Sequence, residues 1–193
     1  MKAFTVAASA AVLACAIPAI AAAQAAPDAG LYGTLGYANT NDSGADLGTI
    51  QGRLGYRFNH WLGVEGELAT GVKSDNVSAS VAGATATGKA KLQSQEAIYG
   101  LGFLPLNGNW DLLGRIGYGH SKVSVNDITV TGAGAPVGNL SGSASGNSWN
   151  FGVGAQYHWD AQNGVRADYT REEFTGNGNG HADVLAIAYS RKF

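Results

Sequence analysis

Apolar and polar residues alternate at every second position over most of the chain after about residue 30. The segment "IQGRLGYRF" places Ile50, Leu54 and Phe58 on one face, and Arg53 and Arg57 on the other. A period of two indicates β-strands, because successive side chains of a strand point to opposite faces. The same alternation reaches the last segment, "LAIAYSRKF". The pattern therefore predicts an all-β protein.

Short segments rich in Asn, Asp and Gly join the alternating runs in pairs, which is typical of β-hairpins. Three such turns are predicted, at 59–61, 105–109 and 160–164. One further strand, "LYGTLGY", opens the alternating region and another closes it, so the total is eight strands. Four longer connections, rich in Gly, Ser, Asn and Thr, are predicted at about 39–48, 72–91, 122–146 and 173–181. The third includes the alternating "VSVNDITV", so we expect this hairpin to project further than the others. The sequence thus predicts an eight-stranded antiparallel up-and-down β-barrel.

The first 23 residues have a different character from the rest of the chain. A positive Lys2 precedes an apolar run over 3–16, and Ala21-Ala22-Ala23 forms an A-x-A cleavage pattern. This arrangement predicts a secretory signal peptide over 1–23, which is cleaved to leave a barrel over 24–193. The segment ending at Cys15 also resembles a lipoprotein box, but Leu13 is bulky where that pattern prefers a small residue. No later run has 18 consecutive apolar residues, so a membrane-spanning form would have to be a closed barrel.

The composition of the polar face indicates whether that face lies inside or outside the barrel. A soluble barrel would turn its apolar face inward. Here the polar face combines many Gly, Ala and Thr residues with a few long charged side chains, which can fill a narrow interior if their neighbours are small. Charges of both signs can neutralise one another there. The pattern predicts a salt-bridge network in the lumen, formed by Arg53, Arg57, Glu65, Glu67, Arg115, Arg166, Asp168 and Lys192.

Aromatic residues cluster near both ends of the predicted strands. An aromatic belt is predicted near the short turns, formed by Tyr56, Phe58, Trp61, Phe103, Trp110, Tyr157 and Trp159. A second group lies nearer the long loops and consists of Tyr37, Tyr118, Trp149 and Tyr169. Two aromatic belts that flank an aliphatic band are expected at the two membrane interfaces. The banding therefore favours a transmembrane barrel over a soluble one.

The segments "GRLGYRFNHWLGVEGEL", "GRIGYGHSKV" and "FGVGAQYHWDAQNGVRADYTRE", with the terminal Phe193, resemble the OmpA-like, opacity-type family of eight-stranded outer-membrane β-barrels. The resemblance implies export to the cell outer membrane, insertion by the outer-membrane assembly machinery, contact with outer-membrane lipids and lipopolysaccharide, and a monomer with surface loops. It also implies a C-terminal insertion signal at Leu185, Ile187, Tyr189 and Phe193, from which Arg191 departs. Relatives with a peptidoglycan-binding domain continue past the barrel, so we expect no peptidoglycan anchoring.

Charge and composition narrow the function further. The chain carries 12 basic and 14 acidic residues, and nothing in it forms the basic face that nucleic-acid binding requires. We expect no cofactor, no metal and no catalytic residues. The leading prediction is a non-enzymatic, structural or surface-exposed protein whose loops bind a host or matrix ligand or act as antigens.

Two alternative functions remain open. The first is a small porin, although eight strands enclose a lumen about wide enough for side chains alone. The second is a lipid A-modifying enzyme, which would need a His and a Ser positioned together. His120 and Ser121 are adjacent in a strand, so their side chains are expected on opposite faces.

Overall fold

The structure, a computed structural model, describes residues 29–42, 45–81, 84–131, 140–176 and 180–193. The predicted signal peptide at 1–23 lies outside the described residues. Within these ranges, no helix is long and apolar enough to span a membrane. The regular elements of the described residues are nine strands: β1 (Gly30–Asp42), β2 (Ala45–Arg57), β3 (Leu62–Gly71), β4 (Asp75–Val81), β5 (Ala84–Pro105), β6 (Trp110–Thr131), β7 (Leu140–His158), β8 (Asn163–Thr175) and β9 (His181–Lys192).

Antiparallel pairing closes eight of these strands into a barrel. The order is β3-β2-β1-β9-β8-β7-β6-β5, and a further pairing of β3 with β5 closes the ring. The first and last strands pair from Tyr32↔Lys192 to Asn41↔Asp183. Strand β4 pairs with the first part of β5 and stands outside the ring. The predicted eight-stranded antiparallel barrel is therefore confirmed, with one additional strand.

The long predicted loops differ most from the structure. Much of the segment predicted as a loop at 72–91 is the hairpin of β4 and β5, which pairs from Asp75↔Ala90 to Val81↔Ala84. The first loop is also wrong, because β1 and β2 pair up to Asp42↔Ala45. The projection predicted for the third loop is present, since β6 and β7 pair beyond the barrel up to Ile128↔Leu140. The period of two continues into these strands, where Val77, Ala79 and Val81 alternate with polar residues, but small Ser, Ala and Thr residues make the contrast between the two faces weak.

The outer ends of these strands form a four-stranded sheet above one end of the barrel, which we call the extension. It comprises residues 75–81 of β4, 84–92 of β5, 122–131 of β6 and 140–146 of β7. Register shifts interrupt its ladders between Thr87 and Lys89, between Leu92 and Ser94, and between Val125 and Ile128. Such bulges bend and twist a sheet locally. The extension therefore continues three barrel strands and adds a fourth.

Each short turn at the opposite end is held by an Asn or Asp side chain. Asn59 Oδ1 accepts hydrogen bonds from two backbone N–H groups of the first turn, and Asn107 Oδ1 does the same in the second. In the third turn, Asp160 accepts from the Asn163 side chain and from the backbone N–H groups of Gln162 and Asn163. These hydrogen bonds hold the pKa of Asp160 below its usual range. Asn and Asp favour turns because their side chains can bond the backbone two residues further on.

The alternation along the strands sorts the residues by face, as the sequence predicted. On β3, Leu62, Val64 and Leu68 are exposed, whereas Glu65 and Glu67 are buried. Large apolar side chains cover the outside of the whole barrel, and most polar side chains point inward. A protein in water would expose this apolar surface unfavourably, whereas a lipid environment matches it. The faces therefore fit a barrel that spans a membrane.

Six of the seven residues of the predicted aromatic belt lie on the outer face, and Phe103 is the exception. Phe103 faces the interior, where the Arg57 guanidinium lies 4.2 Å from the centre of its ring. The alternation itself gives the reason, because Ile98 and Leu104 on the same strand point outward. Contacts between outer aromatic rings are Tyr56–Phe58, Trp110–Tyr157, Trp159–Tyr189 and, towards the extension, Tyr118–Trp149.

The residues predicted to form the C-terminal insertion signal share the outer face of β9. Leu185, Ile187, Tyr189 and Phe193 are all exposed there, and Arg191 lies on the same face. The backbone N–H of Phe193 donates to the carbonyl of Leu31 at 3.0 Å, which continues the ladder between β9 and β1. Their role as an insertion signal stays a prediction.

Candidate functional site: the ion-pair network of the barrel interior

Three arginines and three carboxylates form a buried cluster in the middle of the barrel. They come from inward positions of four strands and are Arg53 on β2, Glu65 and Glu67 on β3, Arg115 on β6, and Arg166 and Asp168 on β8. The alternation places each of them inside, and closure of the ring brings them together. Their charges balance, with three positive and three negative groups.

Arg166 is the centre of this cluster. Its side chain is 0% exposed, and it donates from Nη1 to Glu65 Oε2 at 2.7 Å and from Nε to Asp168 Oδ1 at 2.8 Å. Strands β3 and β8 lie four positions apart in the ring of eight, so the bond to Glu65 joins opposite walls. The pair therefore crosses the full width of the lumen.

Arg53 and Arg115 complete the pairing of the carboxylates. Arg53 donates to Glu67 Oε2 at 2.7 Å and to Asp168 Oδ2 at 2.6 Å. Arg115 Nη1 lies 3.2 Å from Glu67 Oε2. An unpaired charge in this position would be strongly destabilising, because burial removes its hydration. The mutual pairing is what allows six charged groups to be buried together.

Neutral side chains contact several of the remaining groups of the network, whereas Arg53 Nη2 is buried without a hydrogen-bond partner. The Arg115 guanidinium donates to Thr170 Oγ1 at 2.6 Å and lies over the Tyr99 ring at 4.2 Å. The Tyr32 hydroxyl donates to Glu65 at 2.9 Å, and Asn150 Nδ2 donates to the Tyr99 hydroxyl at 2.9 Å. These contacts fix the arginine planes and close the spaces between the ion pairs.

A second cluster lies at the end of the barrel with the short turns. Arg57 Nη1 donates to Asp111 Oδ2 at 2.8 Å, and its other nitrogens donate to the carbonyls of Asn59 and His60 in the first turn. His158 Nε2 lies 3.4 Å from the same Asp111 oxygen. Arg57 therefore ties the first turn to strand β6, and His158 adds a contact from β7.

Seven of the eight residues predicted for the network lie in these two clusters, and Lys192 does not. Lys192 is half-buried near the short turns and takes part in no ion pair with the residues that the structure describes. It occupies an inward position of the alternation, but it lies at the rim of the barrel where a long side chain can reach water. Its membership of the network stays a prediction.

Several interior residues were missed by the sequence analysis. Asp111 and Glu172 are buried at inward positions of β6 and β8. Both could have been found by following the two-residue alternation further along these strands. An apolar cluster that shares the interior with the ion pairs was also missed: Tyr32, Tyr99, Leu101, Phe103 and Leu113. Residue type gave no signal for it, because such residues are equally suited to the lipid face.

Glycines on the inner face provide the space for this filling. A Cβ at Gly55 would lie within the Tyr32 ring, and a Cβ at Gly117 would lie within the Tyr99 ring, both far inside van der Waals contact. At Gly152 a Cβ would meet Arg115 Cγ at 3.0 Å. The abundance of Gly on the polar face is therefore explained by the long side chains opposite it.

Other chemistry receives no support from the described residues. They contain no group of three or more His, Cys, Asp or Glu side chains that could hold a metal ion. The His120 ring faces outward and contacts the Asn147 side chain at 2.7 Å, whereas the neighbouring Ser121 faces inward. The two side chains are therefore on opposite sides of the wall, as predicted.

The family of this chain follows from its sequence. A model of the outer membrane protein beta-barrel domain matches residues 7–193. The chain belongs to this family. It is therefore an outer-membrane β-barrel protein, as the resemblance implied. In outer-membrane barrels the short turns face the periplasm and the longer loops face outward, so we expect the extension to lie outside the cell.

Three solved structures share the fold of this chain. The chain is 19% identical to Ail, the attachment invasion locus protein of Yersinia pestis, with a TM-score of 0.57 over 86% of this chain and 99% of that one. It is 14% identical to Neisserial surface protein A, with a TM-score of 0.60 over 84% and 96%. The N-terminal barrel domain of Pseudomonas aeruginosa OprF is 8% identical, with a TM-score of 0.52 over 84% and 98%. No curated protein matches the sequence. At these identities, the similarity concerns the fold.

Proposed function

We propose that this barrel is a non-enzymatic attachment protein whose extension binds a host or matrix ligand outside the cell. The observation that carries the proposal is the extension itself, a four-stranded sheet that rises above a barrel with a filled interior. A rigid scaffold that presents elaborated surface segments is the usual arrangement of binding proteins. The extension is the part of the described chain that is accessible from outside and is not needed to close the barrel.

The two edges of the extension support a binding role. β4 pairs only with β5, and residues 140–146 of β7 pair only with β6, among the described residues. Their sequences, "DNVSASV" and "LSGSASG", contain one charge, Asp75, and no Lys or Pro. Lys, Pro and charge are the residues that normally protect an exposed strand edge from pairing. An edge without them can add a strand from an extended polypeptide.

The interior argues against the two alternative functions. The pair Arg166–Glu65 crosses the lumen, and aromatic and aliphatic side chains fill the space around it. This filling argues against a porin, which needs an open path for solutes. For an enzyme, the separation of His120 and Ser121 by the barrel wall removes the pair that a lipid-modifying site would use. The attachment role of Ail, given by its name, and the crystal structure of Ail with a heparin analogue supply a precedent on a similar fold.

Removal of the extension is expected to abolish binding and leave the barrel folded. The variant replaces residues 72–92 and residues 123–144 with Asn-Gly turns, which join strand positions that are already neighbours, such as Lys122↔Ser145. Cells that display the variant should adhere to a basement-membrane extract, and to immobilised heparin, no better than cells without the protein.

The control for this experiment is the heat-dependent gel mobility of the variant, which reports a folded barrel. Variants that carry only one of the two replacements assign the binding to β4 or to the β6–β7 hairpin. Full adhesion by a folded barrel that lacks both segments would overturn the proposed function.

A further inference from the structure

The buried charges of the interior do not balance. The described residues include four buried arginines and five buried carboxylates: Arg53, Arg57, Arg115 and Arg166, against Glu65, Glu67, Asp111, Asp168 and Glu172. Every carboxylate except Glu172 forms an ion pair with an arginine. The half-buried His158 contacts Asp111 and not Glu172. Glu172 is therefore the one buried carboxylate in this set without a positive partner.

Glu172 lies at the extracellular mouth of the barrel, beyond the apolar band. On the outer face of β8, Tyr169 ends the apolar residues, and Arg171 and Glu173 follow it. Glu172 itself points inward and is 3% exposed. Its carboxylate accepts a hydrogen bond from Gln95 Nε2, which reaches across from β5. The site is thus buried within the protein but close to the external solution.

The groups that face Glu172 from the other strands do not neutralise it. The charged ones are Glu67 on β3, which has the same sign, and Arg115 on β6. The Arg115 guanidinium is already bound to Glu67 and Thr170. The neighbours in register are Asn150 on β7 and Ala182 on β9, which carry no charge. A carboxylate buried in this way requires a compensating positive charge.

A buried hydroxyl beside Gln95 is a second observation at the same place. Ser121 is directly opposite Gln95 in the pairing of β5 with β6, and both side chains are buried on the inner face. Ser121 is 6% exposed, and its Oγ has no hydrogen-bond partner within the described structure. Buried polar groups are nearly always satisfied, so this hydroxyl, opposite the glutamine that binds Glu172, supplies an unused oxygen for a ligand.

We propose that Glu172, Gln95 and Ser121 form a binding site for one monovalent cation, either a proton or an alkali ion such as Na⁺, taken up from the external solution. One positive charge restores the balance of the interior. A single carboxylate with neutral oxygens suits a monovalent ion, whereas Ca²⁺ sites gather several carboxylates. The bound cation stabilises the folded barrel by mass action, because the unfolded chain has no such site.

The test compares the urea midpoints of the wild-type barrel and of Glu172→Gln in detergent micelles, followed by tryptophan fluorescence. Each is measured from pH 5.5 to pH 9, in NaCl and in N-methyl-D-glucamine chloride of equal concentration. If the cation is a proton, the wild-type midpoint falls with rising pH in both salts, by about 0.5 M per pH unit at the steepest point. If it is Na⁺, the wild-type midpoint is higher in NaCl at constant pH. Glu172→Gln should show neither response.

Glu173→Gln is the matched control on the same strand. Glu173 is partly exposed on the outer side and pairs with Arg171 at 2.5 Å, so this variant should keep the wild-type response. The four histidines are present in all three proteins, and their titration cancels in the comparison. Identical responses of the wild-type and Glu172→Gln barrels to pH and Na⁺ would overturn the proposal.

Discussion

Replacement of Arg166 by methionine is expected to lower the free energy of unfolding by about 3–5 kcal/mol. Methionine fills a similar length but carries no charge, so Glu65 loses its closest ion pair across the lumen and Asp168 loses one of its two. The dominant contribution is the excess of one buried carboxylate, because only Arg53 and Arg115, at 3.8 and 3.6 Å from Glu65, remain for the three carboxylates of the cluster. Urea unfolding in detergent micelles, followed by tryptophan fluorescence, measures the change.

Arg171→Met is the matched control for this prediction. Arg171 lies on the same strand and also pairs with a carboxylate, Glu173, but its side chain is 43% exposed. Its loss should change stability far less than the loss of Arg166, because exposed ion pairs contribute little. The double variant Glu65→Gln/Arg166→Met should recover part of the stability, since the orphaned charge is gone. Equal effects of Arg166→Met and Arg171→Met would mean that the network does not stabilise the barrel.

Replacement of Gly55 by alanine is expected to destabilise the barrel by about 1–3 kcal/mol, as overpacking of a filled core does. The added methyl group would lie within the Tyr32 ring. Tyr32 can move only by giving up its hydrogen bond to Glu65, which is itself part of the network. A single methyl group would therefore disturb both the packing and the ion pairs.

Gly52→Ala provides the comparison on the same strand. Gly52 points outward, and a Cβ there meets no atom within 4 Å. The variant should be neutral or slightly more stable than the wild type, because alanine is less disordered than glycine in the unfolded chain. Both urea midpoints can be measured under one set of conditions. A Gly55→Ala barrel as stable as Gly52→Ala would show that the interior is not tightly filled.

The alternation of the sequence was sufficient to place residues on the correct face of the wall. Arg53, Glu67 and Arg166 could be predicted as interior residues because a strand has only two faces and lipid excludes long charged side chains from one of them. Phe103 was wrongly predicted in the outer aromatic belt, because its aromatic character was given more weight than its inward position on the strand. The strands at 75–81 and 84–92 of the extension were predicted as a loop, because their small Ser, Ala and Thr residues give only a weak contrast between the two faces.

The pairing of the interior residues could not be predicted from the alternation. Glu65 and Arg166 are 101 residues apart, and their contact depends on the stagger with which the eight strands close. A shift of the register by two residues would keep every side chain on its face and yet change every partner. Glu172 shows the consequence, since its isolation from the arginines follows from the closed ring and not from any local pattern.

The central claim is that the interior is closed by its own side chains, so that the function belongs to the surface. Purified protein inserted into planar lipid bilayers tests this claim most directly. We predict no conductance steps above the bilayer baseline, at neutral pH and in molar salt. Stable steps of reproducible size that depend on the inserted protein would contradict the claim and would favour a pore.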